Sequence, residues 1–109
     1  MADTLKVLGQ SNPLAATLTA LYTVPAATSA TVSSVTVANR SATPTSFRIS
    51  IAPAGAADAN QHYIAYDVAI GANVAIVFTI GITLATTDVI RVYATLATLS
   101  FNAFGIEVT

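Results

Sequence analysis

An all-β fold, an antiparallel β-sandwich of jelly-roll type with about seven or eight strands, is predicted by three features of this chain. Bulky apolar residues recur at every second position, most clearly at Val74, Ile76, Phe78, Ile80, Ile82 and Leu84. Clusters of Pro, Gly, Asn and Ser interrupt the apolar runs at the spacing of short strands. Helical spacing is nearly absent, and Val, Ile and Thr, whose branched side chains favour a pleated backbone, are abundant.

The elements follow in chain order. Thr4 to Leu8 reads as a short strand closed by Ser11-Asn12-Pro13. Leu18 to Val24 follows; Leu14 and Leu18 have helical spacing, but Thr17, Thr19 and Thr23 argue for strand. Pro25-Ala26-Ala27 ends it, and Thr31 to Ala38 runs up to Asn39-Arg40-Ser41 and Pro44. Phe47, Ile49 and Ile51 alternate with Arg48 and Ser50, the pattern of a half-buried antiparallel strand. Beyond Pro53-Ala54-Gly55, the segment Ala54 to Gln61 suits either a loop or one helical turn.

Next, Ile64, Tyr66, Val68 and Ile70 alternate with Ala65, Asp67 and Ala69, which places the first set inside. After Ile70-Gly71-Ala72-Asn73, Val74 to Leu84 reads as one long strand that bends or bulges at Gly81. Val89 to Leu96 and Leu99 to Val108 complete the set. At 109 residues the chain is one domain, 1–109, able to bury roughly two thirds of its unfolded surface. Residues 1–12, set off by the Ser-Asn-Pro break, are expected to form an N-terminal arm that reaches a neighbour.

Charge is scarce. The chain has four Lys and Arg, five Asp and Glu, and none of these between Val7 and Asn39. Ordinary soluble domains are about a quarter charged, and exposed sheet edges usually carry Lys, Pro or inward charge as a guard. Strands this poorly guarded are expected to be covered by partners, which favours a structural subunit over a diffusing catalyst. The basic residues Lys6, Arg40, Arg48 and Arg91 make no cluster, so no nucleic-acid partner is expected.

Val68 to Thr87 is uncharged and, at about 20 residues, long enough to span a bilayer as a helix. It contains Gly71, Asn73 and Gly81, is rich in β-branched residues and is flanked by Asp67 and Asp88, so a strand region is the better reading and no membrane partner is expected. The N-terminal Met-Ala-Asp-Thr-Leu-Lys lacks a basic and apolar leader, which suggests synthesis and use in a cytoplasm.

No enzyme, metal or cofactor is expected. The chain has no cysteine, one histidine and scattered carboxylates, and no Gly-rich phosphate loop precedes a helix. His62 with Asp67, Tyr63 and Tyr66 could form an acid–base pair or a sugar-binding patch. However, His62 and Asp67 lie an odd number of positions apart and would face opposite ways on a straight strand. Asn39-Arg40-Ser41 is formally a glycosylation sequon but is more simply a turn. The candidate interface residues are Lys6, Arg40, Arg48, Asp67 and Arg91. Arginines in or beside charge-poor strands could pair with carboxylates of an adjacent chain and set an interface register, or could simply keep one face soluble.

Leu21-Tyr22-Thr23-Val24-Pro25-Ala26, Val37-Ala38-Asn39-Arg40-Ser41, Phe47-Arg48-Ile49, His62-Tyr63-Ile64-Ala65-Tyr66-Asp67 and Asp88-Val89-Ile90-Arg91-Val92-Tyr93-Ala94 through Leu99-Ser100-Phe101 together resemble a family of small tailed-bacteriophage virion proteins. The similarity spans nearly the whole chain and is a pattern of strands and turns, without a catalytic signature. Where relatives often carry Gly after the Leu-Tyr-Thr-Val-Pro run and Lys before His-Tyr, this chain has Ala27 and Gln61. The resemblance implies a capsid decoration (cement) protein of the virion, or alternatively a tail, baseplate or adsorption subunit. It also implies self-association, often as trimers, and docking on the major capsid protein or tail proteins. A carbohydrate-binding module using His62, Tyr63 and Tyr66 is the alternative from another class.

Overall fold

The computed structural model describes residues 2–109. Among these, nine strands form two antiparallel sheets: β1 (Asp3–Ser11), β2 (Thr19–Thr23), β3 (Ser29–Asn39), β4 (Thr45–Ala52), β5 (Tyr63–Ile70), β6 (Ala75–Phe78), β7 (Ile82–Leu84), β8 (Val89–Ala94) and β9 (Leu99–Val108). Sheet 1 has the order β1-β9-β3-β6, with β7 also paired to β3; sheet 2 has the order β2-β8-β4-β5. If β6 and β7 are taken as one interrupted strand, the first four strands pair with the last four in reverse order. A single antiparallel ribbon rolled into two facing sheets, the jelly roll, has this connectivity.

The inner faces meet over a core centred on Phe47 of β4 and Phe101 of β9, both fully buried. Their rings lie edge to face at 6.1 Å, and Phe78 adds a second such contact to Phe47 at 5.9 Å. Such offset geometries match the positive edge of one ring to the negative face of the next. Val35 and Val37, Ile49, Ile90 and Val92, and Leu99 fill the space around them. Asn39 is buried and fully used: its Nδ2 donates to the carbonyls of Thr43 (2.9 Å) and Gly71 (3.1 Å), and its Oδ1 accepts from the Ser41 amide. The sequon is thus a turn anchor joining two loops.

Three expectations are corrected. Val74 to Leu84 is not one strand: the ladder to β3 stops after Phe78 and resumes at Ile82, with Gly81 in the left-handed region at φ 57°. Val74 and Ile80, placed on the inward phase by alternation, are exposed. In the segment expected as an arm, Asp3–Ser11 is β1, paired with β9 within the chain, so among the described residues this stretch is part of sheet 1; residue 1 lies outside the described residues. Ala54 to Gln61 is a loop with a short 3-10 turn at Pro53–Gly55 and another at Asn60–His62.

The third correction concerns β5. Phe47 pairs with Val68 and Ile49 with Ala65, so two residues of β5, Tyr66 and Asp67, stand opposite the single residue Arg48. This is a β-bulge, with Asp67 at φ 49°. The extra residue inverts the side-chain phase. Ala65 points in and is buried, whereas Ile64 and Tyr66 are exposed.

Candidate interface surfaces

Opposite Arg48 on sheet 2 stands Tyr93 of β8, and the β5 bulge brings both Tyr66 and Asp67 onto the same outer face. Arg48 Nε donates to Asp67 Oδ1 at 2.6 Å and Nη2 to Oδ2 at 3.4 Å. Its guanidinium carbon lies 4.2 Å from the centre of the Tyr66 ring and 4.5 Å from that of Tyr93. A planar cation between two π faces is attracted by both ring quadrupoles. The hydrogen bond to Asp67 holds the guanidinium still more firmly protonated than usual.

Tyr63 extends this cluster, edge to face with Tyr66 at 5.0 Å, and its hydroxyl donates to Asp58 Oδ2 at 2.7 Å. That bond, with burial second, pushes the Tyr63 hydroxyl above its ordinary range. His62 does not join Asp67: the carboxylate oxygens of Asp67 are engaged by Arg48, and His62 Nδ1 is buried with no hydrogen-bond partner among the described residues. No acid–base pair is therefore assembled there. Among the described residues no group of three His, Cys, Asp or Glu side chains converges to hold a metal.

The remaining candidate residues are also tied within the chain. Lys6 Nζ meets Glu107 Oε1 at 3.1 Å. Arg40 Nη2 donates to the Ala97 carbonyl at 3.2 Å. Arg91 donates to the carbonyls of Ala56 (2.7 Å) and Gly55 (3.3 Å), while Asp88 Oδ1 accepts from the Ala54 amide, and together they hold the 53–62 loop against sheet 2. Arg48 and Asp67, selected separately from sequence, form one ion pair. Each of these contacts lies within one protomer, so none of the four basic residues needs a carboxylate from an adjacent chain to find a partner.

Glu107 carries a second contact that alternation did not reveal. Tyr22 of β2 donates its hydroxyl to Glu107 Oε2 at 2.6 Å, which joins sheet 2 to the end of sheet 1. This bond, reinforced by Lys6 and opposed by partial burial, lowers the Glu107 carboxyl below its usual range. Burial first, and Glu107 second, raise the Tyr22 hydroxyl well above the usual phenol range.

Sheet 1 presents the opposite chemistry. Residues directly across a ladder share a face, so its outer surface can be read row by row. Asp3, Val108 and Ser29 form the end row, followed by Leu5, Ile106, Thr31 and Thr83, and then Val7, Phe104 and Ser34. Gln10, Asn102, Thr36 and Val77 come next, and Ser100, Ala38 and Ala75 finish the face. Asp3, in the end row, is the only charged residue in these rows. Leu5 and Val77 are 78% and 58% exposed. A shallow, mostly apolar hollow of about 320 Å3 lies among Leu5, Lys6, Ser33, Phe104, Gly105 and Ile106.

This face was not among the sequence-derived candidates. Its signal was present as the polar but uncharged phase of Thr31, Ser34, Thr36, Ser100 and Asn102, yet only the strand order puts those residues side by side. No family model, curated protein or solved structure matches the chain.

Proposed function

We propose that this chain is a non-enzymatic virion subunit, a decoration protein of a tailed-phage shell that associates with copies of itself and lays its uncharged sheet face on the particle. The observation that carries the reading is the outer face of sheet 1, free of charge from the Leu5 row to the Ala75 row. Solvated sheet faces ordinarily carry interspersed Lys, Glu, Arg and Asp. Here the charged side chains of sheet 2 and its loops face the other way. Apolar burial at about 25 cal/mol per Å2 over an interface of ordinary size exceeds the entropic cost of association when the surfaces are already ordered. A preformed sheet meets that condition, and its Ser, Thr and Asn side chains can exchange water for partner hydrogen bonds.

The virion setting rests on the sequence resemblance, and the covered face on the geometry. A tail subunit would use the same face, and copy number separates the two: hundreds per particle for a shell protein, about a dozen or fewer for a tail component. In the carbohydrate-binding alternative, on His62, Tyr63 and Tyr66, Tyr66 gives one ring face to Arg48 and meets Tyr63 edge to face. The test is to quantify this chain by mass spectrometry in particles purified from cells that make it, beside Thr36→Lys, which places a charge in the middle of the face. Hundreds of wild-type copies and depletion of a folded Thr36→Lys chain are expected. Absence of the wild-type chain from the particles, or equal incorporation of the variant, would overturn the reading.

A further inference from the structure

We infer that two copies of this chain pair antiparallel through the open edge of β1, with Leu5 at the two-fold axis, so that sheet 1 continues from one copy into the next. This rests on the reading of the chain as a self-associating subunit and names the contact.

The four sheet edges differ. β2 has five residues and its ladder shifts at Leu21; β5 is bulged at Asp67 and carries the Arg48–Asp67 pair; β6 and β7 are separated by Thr79–Gly81. Short, bulged or charged edges resist pairing with another chain. In β1, Asp3 to Val7 pairs one to one with Val108 to Phe104, and the first irregularity comes at Leu8. The amides of Ala2 and Thr109 each donate to the other's carbonyl, at 3.1 and 3.0 Å, and fasten the end of this run. Among the described residues β1 has a ladder only to β9, so its other edge presents unpaired N–H and C=O groups. Of the two charged residues of β1, Lys6 is drawn back over β9 to Glu107, and Asp3 stands at the end of the run.

Self-pairing is restricted by geometry. A two-fold axis normal to the sheet keeps outer side chains with outer side chains, so opposed positions must have the same parity. Placing the axis at Lys6 sets Thr4 against the Leu8 bulge, and placing it at Thr4 or Val7 shortens the ladder or runs it into the same bulge. With Leu5 at the axis, all five residues pair: Asp3 with Val7, Thr4 with Lys6, and Leu5 with Leu5. The exposed Leu5 side chains then meet with Ile106 of each copy beside them, because Ile106 lies opposite Leu5 in the β1–β9 ladder. The outer faces of the two copies continue into one surface, with one Asp3 on each side of the Leu5 pair at the seam.

The chain has no cysteine, which permits a clean crosslinking test. Directly opposed residues of an antiparallel pair have Cα atoms about 4.5–5.5 Å apart, within disulfide reach. Mild oxidation of Leu5→Cys at micromolar concentration should give a covalent dimer. Asp3→Cys and Val7→Cys should link to each other when mixed but neither to itself, and Val77→Cys, on the opposite edge strand β6, should stay single. Leu5→Lys should raise the dimer dissociation constant about 100-fold, through lost apolar burial and opposed like charges. Leu5→Cys linking no faster than Val77→Cys, or a wild-type mass of one chain or of three, would overturn the β1 pairing. If copies are nevertheless abundant in particles, the decoration reading stands without it; if β1 dimers form but particles lack the chain, the reverse holds.

Discussion

Replacing Tyr22 with Phe removes one oxygen and tests how the two sheets are joined at the far end of sheet 1. The hydroxyl donates to a carboxylate at 2.6 Å, a bond to a charged acceptor worth about 1.5–3 kcal/mol when fully shielded. The Glu107 side chain is 13% exposed and keeps Lys6, so water and that ammonium recover part of the loss. A net destabilisation of about 1–2 kcal/mol is expected, against less than about 1 kcal/mol for Lys6→Met, whose ammonium is 44% exposed. Urea denaturation followed by circular dichroism at fixed protein concentration measures both.

The pH dependence has a definite sign. Glu107 is held below its ordinary range, so its stabilisation is complete above the unfolded carboxyl pKa of about 4.3 and is lost as pH falls through the lower folded value. Tyr22 is held above its ordinary range, so its stabilisation is complete below about pH 10 and declines as pH rises beyond that. Tyr22→Phe should flatten both limbs. A variant within about 0.5 kcal/mol of wild type, with both limbs unchanged, would refute this account of the junction.

Three further substitutions test local features. In Gly105→Ala the new methyl would meet the Thr31 carbonyl oxygen of β3 inside van der Waals contact; a loss of about 2–3 kcal/mol and a melting temperature about 10 °C lower are expected from calorimetry. Ala27→Gly should stabilise by about 0.5–1 kcal/mol in the same measurement, because Ala27 sits at φ 54°, where a Cβ is strained and glycine is not. A double-mutant cycle with Arg48→Met and Asp67→Asn should give a coupling of about 0.5–1 kcal/mol, modest because both side chains contact water; a coupling of zero would mean that the pair contributes nothing to the bulge.

Where the backbone keeps a regular period of two, side-chain direction was legible in the sequence. Phe47 and Ile49 on β4, and Val35 and Val37 on β3, point inward as their alternation predicts, and all are buried. Reading failed where one residue is inserted or the ladder is interrupted. Tyr66 lies on the apolar phase, but the bulge at Asp67 turns it outward, and an Asp in the left-handed region has no unique local signature. Gly81 was recognisable as a bend, although a break into β6 and β7 looks the same in sequence as a bulge. Lys6, Arg40, Arg48, Asp67 and Arg91 stood out because charge is rare, yet their partners lie far away in the chain, as with Lys6 and Glu107. The sheet 1 face depends wholly on long-range pairing of β1, β9, β3 and β6, which no local pattern encodes.

The central claim is that a partner covers the outer face of sheet 1, and hydroxyl-radical footprinting of the free chain and of chain-bearing particles measures this most directly. Val77 on sheet 1 and Tyr66 on sheet 2 are both more than half exposed in the single chain and serve as reporters. The prediction is strong labelling of both in the free protein, and protection of Val77 with continued labelling of Tyr66 on particles. Equal labelling of Val77 in both states, or protection of Tyr66 alone, would contradict it.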